Sequence, residues 1–370
     1  MDESSLPALT RQVLAAAFGL AVIFGALCQR TRFCTMGAIS DVYTMGDWRR
    51  ARQWMAASGA AMLGFQALAA SGAIDPAASI YTGTRLLWLS ALFGGALFGF
   101  GMVLGSGCIS RNLVRLGGGN LKSLVVLLVA AIAAGATLRG ITAVARVGTL
   151  EKVFVELPAG QALPTLAAHL VGGSAVTWAW GIAAVLGLAL LMAASRGRDE
   201  RAWPVLAIGA GVAAVITALW WVSGHLGFLP EDPRTLEPVY LATNSRRMES
   251  LSTIAPVAYA VDWLLMFSDQ SKTLTLGIAT VGGIVVGAGL MAWRERSFRW
   301  EGFAGVGDLG LHLVGAVCMG VGGIVAMGCT VGQGITGVST LSLGSFLALA
   351  AMVAGAWVGL RYQEWRLDRA

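Results

Sequence analysis

Charge is what this sequence has least of. Asp, Glu, Lys and Arg make up 12% of its 370 residues, hydrophobic residues make up 56%, and mean hydropathy is +0.71. A water-soluble surface for a chain of this length cannot be built from so few charges. Cys-x-x-Cys pairs are also missing. The five cysteines therefore point neither to a disulfide framework nor to a thioredoxin-like redox centre. There is no Cys/His spacing that would hold a metal and no ATPase signature, so no cofactor is expected. Two runs come close to nucleotide motifs and fail. Gly99-Phe100-Gly101 opens like a dinucleotide fingerprint but lies inside an apolar run with no strand before it. The run from Gly117 to Ser123 resembles a phosphate loop, but Leu121 stands where that motif needs glycine. The first eleven residues, with Asp2, Glu3 and Arg11, lack the basic start of a secretory signal, and no small-residue cleavage site follows Leu27. The first apolar stretch is expected to stay.

What the chain has instead is one apolar stretch after another, each near the 17–25 residues that cross a bilayer. Its 50 glycines suit close helix packing in lipid, where no hydrophobic force drives helices together. Nine spans are expected, at 12–27, 54–70, 86–104, 121–138, 166–192, 203–222, 273–293, 309–326 and 341–360. The stretches 141–155 and 248–267 are shorter or interrupted and are assigned to interfacial or re-entrant helices. The net charge of +6 could suggest nucleic acid, but most of the basic residues flank spans, and membrane topology explains them better. Placing the N-terminus outside collects 17 of the 26 Lys and Arg residues in the cytoplasm, Arg198 and Arg201 among them. The C-terminus is then cytoplasmic.

An internal repeat is visible. FGFGMVLGSGC ends at Cys108 and MGVGGIVAMGC ends at Cys329, so Gly99, Gly101, Gly107 and Cys108 match Gly320, Gly322, Gly328 and Cys329 at a constant offset of 221. On the nine-span count the two copies run in opposite directions, which makes this an inverted repeat of the kind that sets a substrate site near the midplane. The expected fold class is an all-α integral membrane protein of about nine transmembrane helices, with re-entrant half-helices in an inverted pseudo-two-fold repeat. Residues 1–370 form a single transport domain, with a first repeat at 12–138, a connection at 139–202 and a second repeat at 203–360.

Cys34, Cys108 and Cys329 each stand at the head of a segment that can form a half-helix. The first amides of such a helix lack partners, and together with the helix dipole they favour an anion. Irregular backbone at membrane depth must be buried in protein or line a wet passage, which makes Gly37, Gly107 and Gly328 candidate pathway-lining glycines. A neutral thiol is a weak donor with a polarisable sulfur, suited to the terminal sulfur of a sulfur-containing anion, and weak sites let an ion move on. A free cysteine is, however, commonly just a small buried hydrophobe. Cys28 and Cys318 take that reading, and Cys34, outside the repeat, is left open between the two. Arg30 and Arg32 either attract an anion or simply end the first span, and Asp41 is expected to pair with one of them. His169 and His312 are read as packing or interfacial residues.

Several segments together resemble the YeeE/YedE family of bacterial sulfur-transport membrane proteins. They are QRTRFCTMGAISD around Cys34, GFGMVLGSGC at Cys108, RLGGGNLKS after it, GGIVAMGCTVGQGITGVSTLSLGS around Cys329, PEDPRTLEP and RSFRWEGF. The resemblance implies an hourglass-shaped inner-membrane transporter in which Cys34, Cys108 and Cys329 pass thiosulfate along by S–H···S contacts. It also implies a TusA-like cytoplasmic sulfurtransferase as a partner for some members, and selenium species as substrates for others. The rival reading is a membrane thiol enzyme that carries a persulfide on one cysteine.

Overall fold

The computed structural model describes residues 6–197, 202–233 and 236–369. Asp2, Glu3, Arg198, Arg201 and the Arg234-Thr235 pair of PEDPRTLEP lie outside them. The described chain is built of helices: α1 (Leu6–Thr31), α2 (Thr35–Met45), α3 (Arg49–Ala70), α4 (Trp88–Leu104), α5 (Ile109–Gly117), α6 (Leu121–Arg139), α7 (Ile141–Gly148), α8 (Leu163–Val171), α9 (Ala175–Ser195), α10 (Ala202–Trp221), α11 (Ile254–Leu265), α12 (Leu276–Arg294), α13 (Val306–Val325) and α14 (Leu343–Leu367). Among the described residues, besides three isolated bridges, the strands form two short antiparallel pairs, β1 (Arg85–Leu86) with β2 (Val155–Glu156) and β3 (Phe228–Leu229) with β4 (Val239–Tyr240).

Eight helical stretches among the described residues are long and apolar enough to cross a membrane. They correspond to eight of the nine expected spans. The expected span at 54–70 lies in α3, which has the length but not the apolarity. Its Gln53 and Gln66 are buried within the protein, so this helix meets other helices more than lipid. The expected span at 166–192 is corrected: the chain breaks there into α8 and α9. Gly172 and Gly173 adopt φ of 90° and 92°, which stops α8, and Ser174 restarts the helix by accepting from the Val176 N–H. Hydropathy alone does not register such a break. The stretch at 141–155 becomes the exposed α7, one further turn and β2, and the stretch at 248–267 contributes α11.

Glycine-lined crossings place the helices. A Cβ on Gly94 would sit 2.7 Å from the Gly322 carbonyl oxygen, and one on Gly322 would sit 2.7 Å from that of Gly94. Gly101 and Gly315 are related in the same way, each 2.7 Å from the other's oxygen. Position rises along α4 as it falls along α13, so the two helices cross antiparallel. On the other faces, Gly95 of α4 meets Ala348 of α14, and Gly320 of α13 meets Ala130 of α6. Such close approach brings backbone dipoles and dispersion contacts together where lipid supplies no hydrophobic drive.

Candidate functional site

Each of the three cysteines ends a turn and begins a helix. Before Cys108 the turn is closed by Gly105 N to Gly101 O at 2.9 Å, Ser106 N to Val103 O at 3.2 Å and Gly107 N to Met102 O at 2.8 Å. Before Cys329 the same bonds recur at the offset of 221: Ala326 N to Gly322 O at 2.8 Å, Met327 N to Ile324 O at 3.0 Å and Gly328 N to Gly323 O at 2.8 Å. Ser106 (φ 55°) and Met327 (φ 57°) both take the left-handed conformation that ends a helix. A side-chain amide then locks each turn. Asn112 Nδ2 donates to the carbonyls of Gly107 at 3.0 Å and Cys108 at 3.1 Å, and Gln333 Nε2 donates to that of Ala326 at 2.6 Å. Sequence reasoning passed over this pair, although Asn112 and Gln333 stand at the repeat offset of 221.

Beyond the cysteines the two copies diverge by one residue. Cys108 leads into the α-helical α5, whereas the segment after Cys329 contains a π-helical turn, Gly332–Gly337. A π-turn holds one residue more than an α-turn. Downstream equivalences accordingly shift to an offset of 222. Gly119 N to Leu116 O at 3.0 Å matches Leu341 N to Val338 O at 2.9 Å, and Asn120 and Ser342 each stand just before the next long helix. The glycine run that resembled a phosphate loop is this turn, in which Asn120 caps α6 through Ser123 N.

The sulfurs are held as helix caps. Cys34 accepts from Gly37 N at 3.4 Å, and Cys329 accepts from Gly332 N at 3.3 Å and from Thr253 Oγ1 at 3.1 Å. Cys108 lies 3.2 Å from Ser110 Oγ. All three are buried, with 8%, 1% and 0% of Cys34, Cys108 and Cys329 exposed. Cys34 and Cys108 are neighbours, and Cys108 lies near Thr330, the residue after Cys329, whose Oγ1 is buried with no hydrogen-bond partner among the described residues. Cys329 in turn lies within electrostatic range of Tyr81.

A cavity lies at each end of this series. Cys34 helps line one of about 700 Å³ that reaches Ser106 beyond α4 and Asp308 at the start of α13. Tyr81 lines the other, of about 30 Å³, at the opposite ends of the same two helices, beside Leu87, Met327 and Gln333. The large cavity carries six basic residues (Arg32, Arg50, Arg111, Arg115, Lys122 and Arg299) against Asp41, Glu301 and Asp308. Asp41 pairs with Arg50 at 3.3 Å, correcting the expectation that it would pair with Arg30 or Arg32. Asp308 is shared by Lys122 at 2.7 Å and His312 at 3.1 Å. The Arg111 side chain presents a buried Nη1 with no hydrogen-bond partner among the described residues. Of the three candidate glycines, Gly37 faces this cavity. Gly107 and Gly328 sit behind their cysteines, against the side chains of Arg111 and Gln333, and border neither cavity. Cys28 borders the same small crevice as Cys34, and Cys318 lies part-buried on α13. No cluster of His, Cys, Asp and Glu able to hold a metal occurs among the described residues.

Residues 30–358, which include all three loops, match the family described as sulphur transport. The chain belongs to the sulphur transport family. Two relatives align over nearly their whole length. A thiosulfate transporter, TsuA, of Escherichia coli (strain K12) is 25% identical over 339 residues, covering 90% of this chain and 90% of its own. A thiosulfate transporter of the same name from Spirochaeta thermophila is 25% identical over 360 residues, covering 90% of this chain and 94% of its own. Membership of this family makes the protein a membrane transporter and not an enzyme. The basic cavity of this family member was legible only in part. Its arginines come from four separate segments that sequence reasoning assigned to span ends.

Proposed function

We propose that the protein carries thiosulfate, or a closely related sulfur anion, into the cytoplasm along the series Cys34, Cys108 and Cys329. The observation that supports this reading is that three buried cysteines from three separate loops, Cys34 beside Cys108 and Cys108 near the residue after Cys329, lie between cavities at opposite ends of α4 and α13. The cap bonds support a donor role for the thiols: in Cys34 and Cys329 a backbone N–H already donates to the sulfur, so a bond made through the thiol hydrogen is one in which the S–H donates. A weak S–H donor holds the anion's terminal sulfur only shallowly, and shallow sites in sequence permit passage. The relatives' names support thiosulfate as the anion.

The reciprocal Gly94–Gly322 and Gly101–Gly315 contacts support an inverted repeat, with α4 to α6 in one half and α13 to α14 in the other. The wide cavity faces the cytoplasm in this reading, because its six cations belong to the set that the positive-inside rule places there. A TusA-like sulfurtransferase would receive the anion at that mouth. The test is uptake of radiolabelled thiosulfate by proteoliposomes holding only this protein. Cys34→Ala, Cys108→Ala and Cys329→Ala should each abolish most of the uptake while the protein still inserts. Full uptake by all three variants overturns the relay.

A further inference from the structure

An opening on the apolar flank serves neither cavity. A groove of about 500 Å³ runs between α2, α3 and α14, walled by Ile39, Val42, Phe346, Val353 and Trp357. Along α3 it extends from Trp48 to Met62, which is about 21 Å at the helical rise. That spans one leaflet of a hydrocarbon core about 30 Å thick, together with its interface. At the Trp48 end the groove meets a polar cavity of about 660 Å³ that holds Arg52 and Arg196, and the two share Trp48 and Met55. Arg52 Nε is buried with no hydrogen-bond partner among the described residues. The nearby Asp47 does not answer it, since its carboxylate accepts from Arg49 N at 2.8 Å and faces the Arg49 guanidinium.

We propose that this is a binding site for one anionic glycerophospholipid, with an acyl chain in the groove and the phosphate on Arg52 and Arg196. A buried guanidinium nitrogen needs an acceptor, and a phosphodiester at the membrane interface supplies one with charge. Trp48 stands where the two chemistries meet, the usual depth of an interfacial tryptophan. A concave slot with helices on both sides admits a flexible chain, whereas a second copy of the protein would present a convex helix face. Thr35 and Trp54 of the groove also border the crevice beside Cys34. A bound chain therefore braces the helix that begins at Cys34.

The experiment is native mass spectrometry of the full chain in detergent, offered phosphatidylglycerol and phosphatidylcholine with identical acyl chains. One phosphatidylglycerol should be retained, preferred by roughly 30-fold, the factor that two surface cations contribute. Arg52→Gln with Arg196→Gln should erase the preference but not the binding. Ala51→Trp, or Val353→Trp should the first fail to fold, fills the groove and should remove the lipid. Val185→Trp, on an exposed face outside the groove, should keep it. Equal retention of both lipids by the unmodified protein, an undiminished preference in the double arginine variant, or lipid retained by a folded groove-filling variant overturns the proposal. None of these outcomes depends on which anion is transported.

Discussion

The crossing of α4 and α13 offers a sharp test, because a single methyl group at Gly101 has nowhere to go. Its carbon would lie 2.7 Å from the Gly315 oxygen, 2.7 Å from Cys318 Cβ and 2.9 Å from Met319 N, whereas ordinary contact begins at 3.4 Å. The helices must part by about 0.7 Å, the difference between 3.4 and 2.7 Å, at a point where backbone and not a flexible side chain blocks the way. Overpacking of this sort costs about 1–3 kcal/mol. Against it stands the gain of about 1 kcal/mol from replacing glycine by alanine within a helix. Gly135→Ala isolates that gain, since a Cβ there meets nothing within 4 Å. Gly101→Ala should therefore be less stable than Gly135→Ala by about 1–3 kcal/mol, a factor of roughly 5 to 150 in the folded-to-unfolded ratio. Reversible unfolding in mixed detergent micelles measures the difference. The double variant Gly101→Ala, Gly315→Ala should cost less than the sum of its parts, since the first methyl already opens the gap the second needs. A Gly101→Ala protein as stable as Gly135→Ala refutes the close crossing.

Three further outcomes are expected. Asn112→Ala leaves the buried Gly107 carbonyl without its donor, at about 1–3 kcal/mol, while that of Cys108 keeps the backbone N–H of residue 112, and should speed maleimide labelling of Cys108 as the turn loosens; Gln333→Ala, which takes the donor from the Ala326 carbonyl, should likewise speed labelling of Cys329. Arg111→Gln removes a cation from the large cavity and should raise the KM for thiosulfate several-fold at low salt, with the difference shrinking as salt screens the field. Burial pushes the Glu249 carboxyl above its ordinary range, although Ser245 hydrogen-bonds to it. The fold thus favours the protonated acid, and the stability it contributes is lost as pH rises through the raised value. Melting temperatures taken between about pH 4 and 8 should consequently fall less for Glu249→Gln than for the unmodified protein.

The features that could be read from the sequence were those with a local signature. The matching glycine-cysteine runs marked two of the turns, and the short segments after Cys34, Cys108 and Cys329 form helices as the residue types suggested. What escaped depended on torsion or on distant partners. A pair of glycines at positive φ splits the stretch at 166–192, yet hydropathy averages across it. Asp41, on α2, pairs with Arg50 on the next helix and not with Arg30 or Arg32 before Cys34, because α2 and α3 fold back on each other. The His312 ring, read as a packing or interfacial residue, is buried near the start of α13, and its share in Asp308 with Lys122, from a helix almost 200 positions away in the chain, had no local signature. Buried Gln53 and Gln66 lowered the apolarity of α3 for a reason that a scan by composition cannot see: protein surrounds that helix.

The extra residue in the π-turn at Gly332–Gly337 has a consequence for direction. Two identical halves facing opposite ways would make a pore with no front or back, in which an ion meets the same sequence of sites from either end. One inserted residue removes that equivalence. It places one residue more between Cys329 and the turn at Leu341 than lies between Cys108 and the turn at Gly119, so the two segments are not copies of each other. One mouth became a basin lined with arginine and the other a dimple beside Tyr81. For the proposed relay, a change of a single position in register is enough to give the two directions of travel different sites.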